Sequence, residues 1–283
     1  MSDKVGLLDS HYLGEVLKPS ARKLGERCGA VAVDILARRL TEYIGSVEDD
    51  KYSYIWRSAI EDHEQDAHKE DARVVLVDAV RDAALGATSS GSPAALSIVK
   101  SLLQSPYPTL TRVGIYVCGE HYGTVGAAFW ECATESWFLE VPYWHELYWF
   151  INKAFSRFSV PQRAQFLGFV EKLEGECSDE ARRVEWDETH RRDLLHPAFG
   201  LGDLQVDEKY QKLVERWGRY ETTQTSTRIP LSDGWATEAP SHPMRSWACP
   251  MKSWWPSSRT LCLIAGVGMV PHVEGSPHLS LQR

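Results

Sequence analysis

Residues 139–173 read LEVPYWHELYWFINKAFSRFSVPQRAQFLGFVEKL. Leu147, Ile151, Ala154, Phe155 and Phe158 recur at steps of three and four, the spacing of one helix face. Ser159, Pro161 and Gln162 then restart the chain. A serine hydroxyl accepts from the third backbone N–H while the glutamine reaches back, and proline sits in the first turn, where a missing N–H costs nothing. Phe166, Phe169, Val170 and Leu173 mark a second apolar face, with Gly175 expected as its C-terminal cap. Two amphipathic helices joined this tightly are expected to pack antiparallel, since neither buries its stripe alone.

The same texture extends upstream. His11 to Lys18 predicts a short helix, Pro19 and Ser20 open another over residues 21–28, and Gly29 interrupts it. Val33, Leu36, Leu40 and Ile44 form a stripe ending at Gly45. Tyr52 to His63 is aromatic and then acidic, with no clear period. Val77, Val80 and Ala84 align within a helix over 70–85, and residues 88–92 form a loop. Ser92 and Pro93 are a cap-plus-first-turn signal for Leu96, Val99, Leu102 and Leu103. Pro106 and Pro108 break the chain before a helix through Leu110, Val113 and Val117, with a small-residue seam at Gly123, Gly126 and Ala127. Helices over 178–195 and 206–220 follow, the latter carrying Tyr210, Leu213, Val214 and Trp217. No stretch alternates with the period of a half-buried strand. Residues 1–221 therefore read as all-α, about ten helices. Their pairing through Pro- and Gly-marked turns predicts a HEAT- or armadillo-like stack, with an irregular helical bundle as the alternative.

The totals narrow the function classes. In 283 residues, 43% hydrophobic and 25% charged content is that of a soluble globular protein. Eleven tryptophans favour large aromatic contacts. A formal charge of −8 speaks against a nucleic-acid scaffold. Cys28, Cys118, Cys132, Cys177, Cys249 and Cys262 contain no C-x-x-C pair, so neither a disulfide framework nor a zinc knuckle is indicated and free thiols in a reducing compartment are expected. The N-terminus lacks a signal-peptide pattern, and the apolar run over 261–270 is too short to span a membrane. The expected location is cytoplasmic.

Residues 222–283 read differently, as an irregular or disordered tail. From Trp235 to Arg283 only six of 49 residues are charged, alongside four Trp, six Pro and seven Ser. A slipped reading frame is one explanation. Joining each codon's third base to the next codon's first two forces Glu at Met251–Lys252, Val at Trp254–Trp255 and Ala at Trp255–Pro256. The surrounding codons permit a charged, helix-periodic EELVAFLADF, which resembles the upstream chain. On that reading the written chain ends early. The alternative is a genuine partner-binding tail.

Candidate chemistry is sparse. His63, Glu64, Asp66 and His68 have metal-ligand types, and a metal-dependent hydrolase built on them is the alternative function. H-E-x-x-H needs its histidines four apart on one face; these are five apart and diverge by roughly 140° on a helix. A solvated acidic loop accounts for the run. His145 reads as a helix-surface or interface histidine, and His190 lies on a charged helix. His196 near that helix's C-terminus is expected to favour its dipole. Arg57 and Glu61 are spaced for a helix ion pair. Trp130, Trp137, Tyr143, Trp144, Tyr148 and Trp149 read as core and seam rather than a ligand cage. No G-x-S-x-G elbow or Walker A pattern occurs, and Gly266 and Gly268 lack the third glycine of a dinucleotide loop. No catalytic, cofactor or metal residue is assigned.

The segments YSYIWRSAIEDHEQ (52–65), SPYPTLTRVGIYV (105–117) and YWHELYWFINKAFSRF (143–158) resemble the helical region of large bacterial multidomain proteins. In these a signalling NTPase precedes a long helical array, and some are linked to anti-phage defence. The resemblance spans roughly Leu13 to Tyr220. It implies a fragment of the sensor or scaffold portion, and with no NTPase motif here it carries no activity over. The expected function is a non-enzymatic scaffold or sensor-type module that binds a protein partner or neighbouring domain, with no membrane or clear nucleic-acid contact. The remaining alternative is a truncated remnant without independent function.

Overall fold

The computed structural model describes residues 10–62, 71–89, 91, 94–175 and 178–220. Among them every regular element is helical: α1 (Ser10–Cys28), α2 (Ala30–Ile44), α3 (Val47–Asp50), α4 (Ser53–Trp56), α5 (Ala72–Ser89), α6 (Ala94–Leu103) and α7 (Pro108–Glu120). After them come α8 (Tyr122–Cys132), α9 (Glu135–Leu139), α10 (Trp144–Ala154), α11 (Val160–Glu171), α12 (Glu180–Leu195) and α13 (Leu204–Trp217). Three 3₁₀ turns, Val141–Tyr143, Phe155–Arg157 and His196–Ala198, join the later helices. None of the described helices is long and apolar enough to cross a membrane. The arrangement fits an irregular helical bundle. The tail over 222–283 and the Ser92–Pro93 cap lie outside the described residues.

Two helices form the centre. Thirteen of the 18 residues of α5 and 11 of the 13 of α7 are buried, so neither has a solvent stripe. Helices α1 and α2 pack on α5, while α6, α8 and α10 pack on α7. The stretch over 139–173 therefore adds to a centre formed by α5 and α7. Its apolar faces are placed as their spacing predicts: Leu147, Ile151, Ala154, Phe155, Phe158, Phe166, Val170 and Leu173 are all buried, with Phe169 packed beside them. The Ser159 N–H donates to Gln162 Oε1 at 2.8 Å, the reach-back of a capping box. The antiparallel pair is not formed as expected: α10 takes α7 as its main neighbour, and α11 lies against α9 and α12. The 3₁₀ turn after α10 redirects the chain, and Phe155 meets Phe166 at 5.9 Å between ring centroids.

Glycine is required at the crossing of α1 and α5. A Cβ on Gly25 would lie 1.9 Å from the Ala83 carbonyl oxygen, and one on Gly86 2.1 Å from the Arg22 carbonyl oxygen. The seam expected at Gly123, Gly126 and Ala127 does not exist: Gly123 and Ala127 are exposed, and Gly126 accommodates the ring of Tyr122. Gly175 is not a helix cap, since α11 already ends at Glu171. Its N–H donates to Asp187 Oδ1 at 2.7 Å, and a Cβ there would lie 2.6 Å from the Trp186 ring.

The expected break at Pro19 is absent, and α1 runs through it. The exposed proline removes one backbone donor, and the Ser20 hydroxyl donates to the Val16 carbonyl one turn back. Leu13 and Leu17 before it and Ala21 and Gly25 after it pack inward. Burial on both sides holds the helix against a proline penalty of about 3 kcal/mol.

Candidate functional site

Among the described residues before 90, the least helical part, 45–62, is tied down by buried charge. Ser46 Oγ accepts from the Asp49 N–H at 3.1 Å and starts α3, which ends on the fully buried Asp50. The Asp50 carboxylate accepts from the Thr109 N–H at 2.8 Å and the Thr109 hydroxyl at 2.6 Å. These donors lie in the first turn of α7, where helix N–H groups lack partners and negative charge is favoured. Burial raises the Asp50 pKa against the lowering pull of Thr109 and Arg112.

One turn along α7, Arg112 Nε donates to Glu146 Oε2 at 2.9 Å and Nη2 to Glu146 Oε1 at 3.0 Å. The same Nη2 donates to the Ser58 carbonyl at 3.0 Å, and the Ile60 N–H donates to Glu146 Oε1 at 3.0 Å. Arg57, expected to pair with Glu61 on a helix, instead lies past the end of α4 and donates to Asp78 Oδ1 at 2.7 Å and the Ile60 carbonyl at 3.2 Å. Arg81 of α5 donates to that carbonyl at 2.9 Å and to Asp62 at 2.9 Å. Three arginines thus fasten an irregular segment to α5, α7 and α10. Breaking any one of these buried pairs leaves an uncompensated charge, so together they hold the segment in place.

Beside this knot a shallow recess of about 10 Å³, room for about one water, lies between the end of α7, the middle of α10 and Glu61. Tyr116 and Trp149 give it aromatic walls, and Glu61, Glu120, His145 and Lys153 give it charge. His145 Nε2 is 3.4 Å from Glu61 Oε1, and its side chain is 8% exposed, so it is an interface histidine between α10 and the segment over 45–62. Lys153 pairs with Glu120, its Nζ 5.6 Å from the centroid of the Tyr116 ring. Burial, then Glu120, pushes the Tyr116 hydroxyl up to about 12. The Trp149 indole N–H is buried with no acceptor among the described residues. The residues lining the recess include no Ser, Thr or Cys.

Two further histidines, His190 and His196, are packed among aromatic rings. His190 is 7% exposed, with Trp144 and Trp186 at 4.5 and 4.9 Å between ring centroids. Its Nε2 lies 2.7 Å from the Phe138 carbonyl oxygen, an acceptor that requires the proton on that nitrogen. Burial depresses it to about 4, so it is neutral on a helix that reads as charged. Burial, then Arg192, lowers the His196 pKa from the ordinary histidine value, which works against the dipole interaction its position predicts. Trp130, Trp137 and Tyr143 are core residues as predicted, whereas Trp144, Tyr148 and Trp149 are half-buried. Cys118 is buried, its thiol pKa raised by burial, while Cys28 is exposed.

His63, Glu64, Asp66 and His68 lie outside the described residues, as do Gly266 and Gly268. Among the described residues no three His, Cys, Asp or Glu side chains converge in a metal-binding group. Tyr116 and Glu120 are not distinguished by any sequence pattern, and only the fold brings them and Glu61 to Trp149. Comparison with known protein families, characterised proteins and solved structures finds no match to this chain.

Proposed function

We propose that this chain is a non-enzymatic helical scaffold that docks a protein partner or a neighbouring domain through the recess at Trp149. On this reading its helices are a HEAT- or armadillo-like stack from the sensor or scaffold portion of a larger bacterial protein. Helices close in sequence pack on one another, α6 with α7 and α8 and α12 with α13, which supports a stack. The observation that carries the docking reading is Trp149, which lines a recess rimmed by both signs of charge and whose buried indole N–H has no acceptor among the described residues. A backbone carbonyl of a docked segment supplies the missing acceptor while its side chain meets the aromatic walls.

Selection of a random displayed peptide library against the full chain tests this. Enriched peptides are expected to bind the folded Trp149→Ala variant at least tenfold more weakly and to be released intact. Peptides that bind both proteins equally, or that are cleaved, would falsify the assignment.

A further inference from the structure

We infer that the outward face of α2 is a self-association surface, occupied by α2 of a second copy of this chain running antiparallel. Val31 and Ile35 stand one turn apart on that helix, 62% and 51% exposed. Asp34 and Arg38, also one turn apart and both exposed, share that side of the helix. Neither forms an ion pair with another described residue, although Arg39 beside them pairs with Glu42. The face therefore offers two apolar side chains and two opposite charges with no ion-pair partner among the described residues.

The order of these charges selects the occupant. A two-fold axis crossing α2 near Leu36 sets Asp34 of one copy against Arg38 of the other and, by the same symmetry, Arg38 against Asp34. Ile35 then meets its counterpart close to the axis. A parallel arrangement sets Asp34 on Asp34 and Arg38 on Arg38, repelling at both positions. The face is thus its own complement in one orientation only. With two apolar residues and two ion pairs at its centre, the contact is of the weak, reversible kind, with Kd on the order of 10 μM.

Sedimentation equilibrium of the full chain between about 1 and 200 μM reads the proposal directly, a range set by that Kd. The expected result is a reversible shift toward twice the 32.0 kDa chain mass. Ile35→Lys is expected to abolish the shift. Asp34→Arg and Arg38→Asp alone should each weaken it at least tenfold, because each sets like charges face to face twice. The double reversal, D34R with R38D, should restore it. All the substituted positions are on the surface, so unchanged helical circular dichroism is expected throughout. A monomer at every concentration overturns the inference. So does a dimer indifferent to Ile35→Lys, or one in which the double reversal fails to rescue the single changes.

Discussion

Arg112 and Glu146, 34 residues apart, form two parallel hydrogen bonds of 2.9 and 3.0 Å with side chains 0% and 1% exposed. The pair joins α7 to α10, and further bonds run from it to the backbone of Ser58 and Ile60 and to the Ser53 hydroxyl. One carboxylate and one guanidinium therefore align three parts of the chain. Two ions leaving water are costly, and only this many bonds make their burial tolerable.

Breaking one side of the pair is expected to be severe. Glu146→Leu strands a buried guanidinium and should lower the free energy of unfolding by about 3–5 kcal/mol. Adding Arg112→Met removes the stranded charge, so the double variant is expected to be more stable than Glu146→Leu alone. Urea denaturation of the four proteins measures the coupling. Additive losses would show that the two side chains do not act as a pair.

The Gly25–Gly86 crossing makes the opposite use of side chains, by excluding them. Ala at either position drives a Cβ into backbone carbonyl oxygen, which no rotamer change relieves, and a loss of about 1–3 kcal/mol or more is expected. Gly168 is the control: it lies inside α11, and a methyl group added there would meet nothing within 4 Å. Gly168→Ala is expected to gain up to about 1 kcal/mol from helix propensity alone. Equal effects at all three sites would remove the case for a close crossing.

What the sequence discloses divides by range. The stripe Val33, Leu36 and Leu40 and the stop at Gly45, where φ is +91°, are legible because the periodicity and the turn are local. The reach-back from Gln162 to Ser159 spans three residues and is legible for the same reason. Nothing local marks Arg112 and Glu146 as partners 34 residues apart. Nothing local marks Gly25 or Gly86 either, because the close approach there is between two distant helices. At Pro19 local propensity points to a break, and packing on both sides overrides it. The recess has the same limit: Trp149 stands out in the sequence, whereas Glu61 joins it only through the fold.

His190 sets a pH dependence with a definite sign. Its folded pKa, about 4, lies below the ordinary histidine value of 6.5 because burial opposes charging. Between those values the unfolded chain binds the proton and the folded chain does not, so stability falls as pH drops from 6.5 toward 4 and is retained above 6.5. The drop due to this residue is at most about 3 kcal/mol. Asp193, pushed up to about 6 by burial, has the opposite sign, and it is present in both wild type and His190→Gln. The stability difference between those two proteins should therefore narrow by that amount as pH falls from 6.5 to 4. A difference independent of pH would mean that His190 is not held neutral.

Pro19→Ala separates the cost of the proline from any use the fold makes of it. Position 19 is exposed in the middle of α1, so the ring buries nothing that alanine would lose. Alanine restores the backbone donor and removes a helix penalty of about 3 kcal/mol, while a more flexible unfolded chain returns about 0.4–1 kcal/mol of that gain. The net expectation is about 2 kcal/mol of added stability, a rise in Tm of about 3–4 °C at this chain length. Calorimetry decides between two accounts of α1. A rise means the proline is carried passively by packing on either side. A fall means that the bend it imposes is what lets Gly25, six residues on, reach Ala83, and then Pro19→Ala combined with Gly25→Ala should lose less than the sum of the two.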